Sequence, residues 1–225
     1  REFEASVSGA IESAVALDQT AFFPGGGGQP CDVGKLTIGD RDVTVLEVKR
    51  SDGNIWHKLD QNAPPVGTRV IGSLDWDHRH QLMRTHTALH ILCGVIWRDF
   101  GAHVTGSNMT PLAARMDFEL ERMSSDFAEK IEERANAEIR ARRRISVRFL
   151  SRFEASKLPD LTRTKINLLP EGITEVRIVD IEGLDVQADG GTHVASTLEV
   201  GYIRVVGHES KGRINKRLRI AVEDA

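Results

Sequence analysis

The 225-residue sequence predicts an α+β protein, with a small β-barrel-like N-terminal domain over residues 1–72 and a mixed second domain over residues 73–225. Two observations carry that expectation. Short β-type runs separated by turn clusters fill the first 72 residues, the pattern of a small barrel or sandwich-like unit. Helical periodicity then begins near residue 77 and alternates with further strand-like runs, the order expected of an α+β domain.

In chain order, residues 14–17, 35–38, 43–48 and 69–71 are apolar or β-branched runs. Turn signals divide them: the four glycines at 25–28, Ser51-Asp52-Gly53-Asn54, and Pro64-Pro65-Val66-Gly67. Residues 77–100 form one long helical pattern, with Leu82, His86, Leu89, Cys93 and Ile96 on a single face and Gly101 as its stop. A β-type stretch leads to residues 114–120. Ser124 or Ser125 then caps a second helix through Phe127, Ile131, Ala135 and Ile139 to about residue 143. Residues 147–150, 175–181, 201–206 and 218–222 are expected to be strands.

Hydrophobic residues make up 40% and charged residues 28% of the chain, the profile of a soluble globular protein. No apolar run approaches the eighteen or so residues of a membrane span, and the opening Arg1-Glu2-Phe3-Glu4 lacks the pattern of a secretory signal. Cys31 and Cys93 alone do not make a disulfide framework, so a reducing cytoplasm is expected. The net charge of −3 gives no global basic character, but its distribution is uneven. The charged residues of 117–133 are mostly acidic. Arg140, Arg142, Arg143, Arg144, Arg148 and Arg152 crowd one stretch, and Lys211, Arg213, Lys216, Arg217 and Arg219 another. Such clusters can engage phosphates; the alternative is a solvated helix face and strand end.

Two segments carry metal-type chemistry. His86 and His90, at i and i+4, project from the same side of a helix and are close enough to share one ion. No Glu follows His86, so this is not the His-Glu-x-x-His pattern. Asp189-Gly190-Gly191-Thr192-His193 adds a carboxylate and a third imidazole around two glycines. The alternatives are core histidines in the first segment and a plain turn in the second, with Asp189 bonded to its own backbone amides. Together they supply a donor set suited to zinc or a similar divalent ion.

These segments resemble the metal-binding signature of the alanyl- and threonyl-tRNA synthetase editing domains and of the free-standing alanyl-tRNA editing (AlaX) proteins. Three further stretches match. Residues 17–30, running from Leu17 through Thr20 and the four glycines to Gln29 and Pro30, are similar to the glycine-rich motif of that family. Residues 83–90 resemble its helix, and Glu209-Ser210-Lys211-Gly212-Arg213 with Lys216-Arg217 its closing segment. The resemblance covers nearly the whole chain and implies that the second domain is an α/β editing domain of the threonyl/alanyl type. It implies His86, His90 and His193 as metal ligands. The family usually has Cys where Asp189 stands; Asp ligates zinc at about the distance of a His nitrogen, but as a harder donor.

The implied activity is hydrolysis of the ester on mischarged alanine tRNA, chiefly with serine and secondarily with glycine. Zinc with an open position would lower the pKa of its water to about 7 and polarise the carbonyl; the other role for the ion is to orient the substrate's amino group. No Ser-His-Asp order competes. The four glycines, unlike a Walker loop, lack a following Gly-Lys-Ser/Thr; they leave the amides of Gly26, Gly27 and Gly28 able to face a ligand, or else form a hairpin turn. The resemblance places Thr20 and Gln29 beside the amino-acid pocket as catalytic residues, Thr20 toward the serine hydroxyl and Gln29 toward the ester or ribose, with Thr192 of the metal motif binding substrate. Lys211, Arg213, Lys216 and Arg217 would bind the acceptor stem by shape and phosphate. The competing readings are a tRNA-binding module that has lost catalysis, motivated by Asp189, and an excised editing region of an alanyl-tRNA synthetase. Oligomeric state stays open.

Overall fold

A computed structural model describes residues 1–158, Leu161, Arg163 and residues 172–225. They divide into two compact units, Arg1–Gln81 and Leu82–Ala225; the boundary expected from sequence was residue 72.

The N-terminal unit is a closed barrel of β1 (Glu2–Ile11), β2 (Ala14–Leu17), β3 (Gly34–Ile38), β4 (Arg41–Ser51), β5 (Asn54–Leu59) and β6 (Arg69–Leu74), in the order β1-β2-β5-β4-β3-β6. Closure follows from β6 pairing with both β1 and β3, which leaves no open edge. Alternation fills the interior: Val43 and Val45 of β4 face inward with Leu36 and Leu59. A bulge between Val45 and Glu47 then shifts the register, so that Val48 rather than residue 47 is buried. Gly72 sits opposite Phe3, whose ring lies 2.3 Å from where a Cβ would be, so a side chain there would expel the ring from the core. Strands β1 and β5 are additional to the four runs expected from sequence.

Between β2 and β3 the chain makes a long excursion, and a buried ion pair fixes it. The Asp32 carboxylate is fully buried; it accepts from the Phe23 amide at 2.6 Å and from Arg79 Nε at 2.7 Å, with a second, shorter contact to Arg79 Nη2. Arg79 Nη2 also donates to the Ala21 carbonyl. Arg79 lies in the first turn of α1 (Trp76–Phe100), which Asp75 caps by accepting the His78 amide.

In the second unit the rest of α1, together with α2 (Ser125–Arg140), packs among a four-stranded sheet and a three-stranded one. The larger sheet has the order β12-β13-β8-β7, formed by β7 (Val104–Thr110), β8 (Ala113–Phe118), β12 (Tyr202–Gly212) and β13 (Asn215–Glu223). The smaller, β11-β10-β9, comprises β9 (Ile145–Ser151), β10 (Glu175–Ile181) and β11 (Asp185–Ala188). Ser124 caps α2 by accepting the Phe127 amide, as its sequence suggests. The helix α1 differs from its expected one-faced pattern: every residue from Arg84 to Ile96 is buried. The polar ones must therefore find partners inside. Arg84 donates to the carbonyls of Val200 and Glu223 and pairs with Asp224, while Thr85 accepts the Leu112 amide.

Arg79→Ala should test the buried pair of the barrel unit. Leaving Asp32 buried without its cation should destabilise that unit by about 3–5 kcal/mol, read as a lower urea midpoint. A loss under about 1 kcal/mol, the range of solvated pairs, would contradict the pair's structural role.

Candidate metal centre and glycine-rich loop

One close approach sets up the centre. A Cβ on Gly94 of α1 would lie 2.9 Å from Leu184 Cγ and 3.1 Å from Asp185 Cβ, so glycine lets the start of β11 press against the helix. One turn earlier on the helix, His90 Nδ1 meets the fully buried Asp185 Oδ2 at 3.1 Å. Asp185 also accepts from Gln187 Nε2 and Arg163 Nε. This carboxylate fixes the His90 tautomer with the proton on Nδ1 and turns Nε2 toward the other donors.

The segment after β11 brings the remaining groups. Asp189 Oδ2 lies 3.1 Å from His193 Nε2, and Asp189 Oδ1 lies 3.6 Å from His86 Nε2. Thr87, on α1 between the two helical histidines, holds His193 Nδ1 at 3.1 Å. The His86 and His193 rings stack with centroids 4.3 Å apart. One ligand atom from each of His86, His90, Asp189 and His193 lies within 4.8 Å of all the others. Thus the i, i+4 pair and the Asp-Gly-Gly-Thr-His segment form one cluster, with Thr192 partly buried beside it.

Asp189 also acts as a turn residue, since its Oδ2 accepts the Gly191 amide at 2.7 Å. Gly190 is exposed, keeps an ordinary φ, and has open space where a Cβ would go. Arg177 of β10 secures the aspartate further: its Nη1 donates to the Asp189 carbonyl at 2.8 Å and stands 3.7 Å from Oδ2. Asp185 and Arg177 have no signature in the sequence beyond being polar residues in short strand runs.

The electrostatics fit a divalent ion. Burial pushes the Asp189 carboxyl up, but the His193 hydrogen bond and the neighbouring imidazoles outweigh it and hold it far below the usual range. Burial pushes His193 down to about 4 against its bond to Asp189, and carries His86 well below its ordinary value, helped by His193. For His90, burial pulls down but the bond to Asp185 and the field of Asp189 raise the net value. An ionised carboxylate enclosed by largely neutral imidazoles, each with a nitrogen aimed inward, is a donor set for zinc or a similar ion.

The four glycines of the N-terminal unit adopt left-handed φ values of 78°, 134°, 61° and 89° at Gly25 to Gly28. Gly26 and Gln29 exchange two 3.0 Å backbone hydrogen bonds around the central Gly27-Gly28, giving the φ signature of a type I′ hairpin turn. The Gly26 amide is therefore taken up within the turn, while Gly27 and Gly28 sit exposed at its tip. Gln29 is buried. Thr20, partly buried, lies 2.9 Å from His57 Nε2 through its Oγ1, which also accepts the Phe22 amide at 3.1 Å.

Folding pairs much of the second basic cluster with the carboxylates of Asp117 and Glu209. Arg217 makes a two-point contact with Asp117 at 2.6 and 2.7 Å, and Arg219 and Lys211 pair with Glu209. Lys216 is buried, its Nζ donating to the Gly212 and Arg213 carbonyls. Lys211 and Arg213 remain at the exposed β12–β13 turn.

Two substitutions should separate holding the ion from shaping the turn. Asp189→Ala, which removes one of four donors, and Asp185→Asn, which unsettles His90, should each weaken zinc affinity by at least about 10–100-fold. Full zinc occupancy in Asp189→Ala, measured by metal analysis, would leave Asp189 as a turn residue only.

Comparison with known proteins agrees with this geometry. Residues 1–78 match the family described as class II (A) tRNA synthetases, and residues 176–219 match the second additional domain of threonyl- and alanyl-tRNA synthetases. The chain is 41% identical to the alanyl-tRNA editing protein AlaX-M of Saccharolobus solfataricus, over 99% of this chain and 94% of that one. It is 36% identical to AlaX-M of Methanosarcina barkeri, over 100% and 95%. It is also 38% identical to the alanine–tRNA ligase of Ignicoccus hospitalis over 92% of its length, but spans only 23% of that ligase. With full-length similarity at this level to proteins of one kind, the chain belongs to the alanyl-tRNA editing protein (AlaX) family.

Proposed function

We propose that this protein hydrolyses the ester linking a wrong amino acid to alanine tRNA, with serine as chief substrate and glycine as second, in the cytoplasm where tRNA is charged. The observation that carries the reading is the convergence of His86, His90, Asp189 and His193 in a chain of this family. These four residues would hold zinc. When bound, the ion supplies Lewis acidity for the ester carbonyl and lowers the pKa of water.

The protein's own groups do the rest. Asp185 takes the His90 Nδ1 proton in a hydrogen bond and leaves that ring's other nitrogen able to bind an ion, while Thr87 holds the His193 ring at Nδ1. Burial keeps bulk water from the cluster and strengthens electrostatics within it. On the resemblance, Thr20 meets the hydroxyl of the bound serine and Gln29 the ester or ribose, with Gly27 and Gly28 presenting backbone amides. Hydrogen bonding solves a problem of size: alanine is smaller than serine and cannot be excluded sterically, but it leaves polar groups unpaired where the hydroxyl should be. Lys211 and Arg213, at the exposed turn, are the leading phosphate contacts on the acceptor stem. Arg217 and Lys216, engaged by Asp117 and by backbone carbonyls, support that turn.

The test is a deacylation assay with serine, glycine and alanine each loaded on alanine tRNA. Serine should be released far faster than alanine, because sites built to bond a hydroxyl reject analogues lacking it by about 10⁴-fold. Equal rates for all three would replace this reading with that of a general esterase, and tRNA binding without release would mark an inactive binding module.

A further inference from the structure

We infer that His57 is a positioning residue that fixes the Thr20 hydroxyl as a hydrogen-bond acceptor, so that the protein recognises an amino-acid side chain by the proton its hydroxyl donates. This rests on the proposed meeting of Thr20 with the substrate's side chain and adds to it the polarity of that contact.

His57 lies on β5, fully buried, with its ring edge against Phe22 at a centroid distance of 5.3 Å. Its two nitrogens face different chemistries. Nδ1 lies 3.2 Å from the Val15 carbonyl, which can only accept. Nε2 lies 2.9 Å from Thr20 Oγ1, which can donate or accept. Burial pushes the imidazole down, against the raising effect of the Val15 bond, so the ring is neutral near neutral pH and carries one N–H. That proton must sit on Nδ1, because a bare Nδ1 would oppose its lone pair to the carbonyl. Nε2 is then an acceptor, and the Thr20 hydroxyl gives its only proton to it.

The other side of Thr20 is equally constrained. One lone pair of Oγ1 accepts the Phe22 amide at 3.1 Å. What remains toward a ligand is a single lone pair on a partly buried hydroxyl. A serine hydroxyl satisfies it by donating; the methyl of alanine cannot. Without His57 the Thr20 hydroxyl would be free to rotate and present either polarity. A histidine that served only to fill the barrel would need no partner of this kind on a half-exposed side chain.

The experiment combines ring spectroscopy with substrate discrimination on the full chain. In protein labelled with ¹⁵N-histidine, the His57 ring is assigned by its absence from the His57→Gln spectrum. Near neutral pH it should show a protonated Nδ1 and a bare Nε2; the opposite tautomer or an imidazolium would overturn the inference whatever the variants do. His57→Phe should lower the ratio of seryl- to alanyl-tRNA hydrolysis by about tenfold, the scale of one neutral hydrogen bond. His57→Gln, whose amide offers an acceptor to Thr20 and a donor to Val15, should restore much of it. Thr20→Val separates the two levels. If it collapses the ratio while folded His57→Phe does not, the inference falls and the reading of Thr20 stands. If Thr20→Val leaves the ratio unchanged, both fall.

Discussion

A buried carboxylate that must stay ionised is the constraint around which the second unit is arranged. Asp189 is enclosed by His86 and His193, and burial alone would push its carboxyl up. It remains an anion because imidazole nitrogens, the Gly191 amide and the Arg177 guanidinium converge on it. Each neighbour is held in turn: His90 by Asp185, His193 by Thr87, and Asp185 by the close approach that Gly94 permits. The result is a set of donors oriented before any ion arrives, the arrangement that second-layer hydrogen bonds provide in metal sites generally. An Asp here gives the same number of donors as a Cys would while changing their softness, which favours harder ions more than a thiolate would.

The N-terminal unit follows a parallel logic with different materials. Its glycine-rich stretch has a fixed hairpin geometry, because two central left-handed residues and a reciprocal pair of backbone bonds define the turn. The Asp32–Arg79 pair ties the same excursion to the start of α1. Strand β5 contributes His57, whose ring polarity carries through to Thr20. In both units, then, a buried polar group sets the protonation and direction of the group that chemistry would use. Such networks are costly when half-satisfied.

The features legible in the sequence were those with a periodic or punctuating signal. The i, i+4 histidines stood out because helical spacing puts them on one side, and Ser124 because a short polar side chain before an apolar-periodic run is a helix start. Closure of the barrel was not legible, since β1 and β5 interrupt their apolar alternation with small and polar residues; His57 was lost with β5. Asp185 was hidden because its role arises only when the start of β11 meets α1, a contact between residues 95 positions apart, and Arg177 because its partner Asp189 lies beyond the neighbouring strand β11. The same limit applies to the cluster that ends the chain. Its cations read as unpaired in the linear sequence, yet strand pairing places Asp117 beside Arg217 and brings Glu209 beside Arg219.

The central claim is that one ion, held by three histidines and an aspartate, is required for ester hydrolysis. Its most direct measurement is single-turnover hydrolysis of seryl-tRNA(Ala) by protein stripped with a chelator and then titrated with zinc. The account predicts no hydrolysis above background in the stripped protein and recovery that saturates at one equivalent per chain. Full activity in the stripped protein would contradict it.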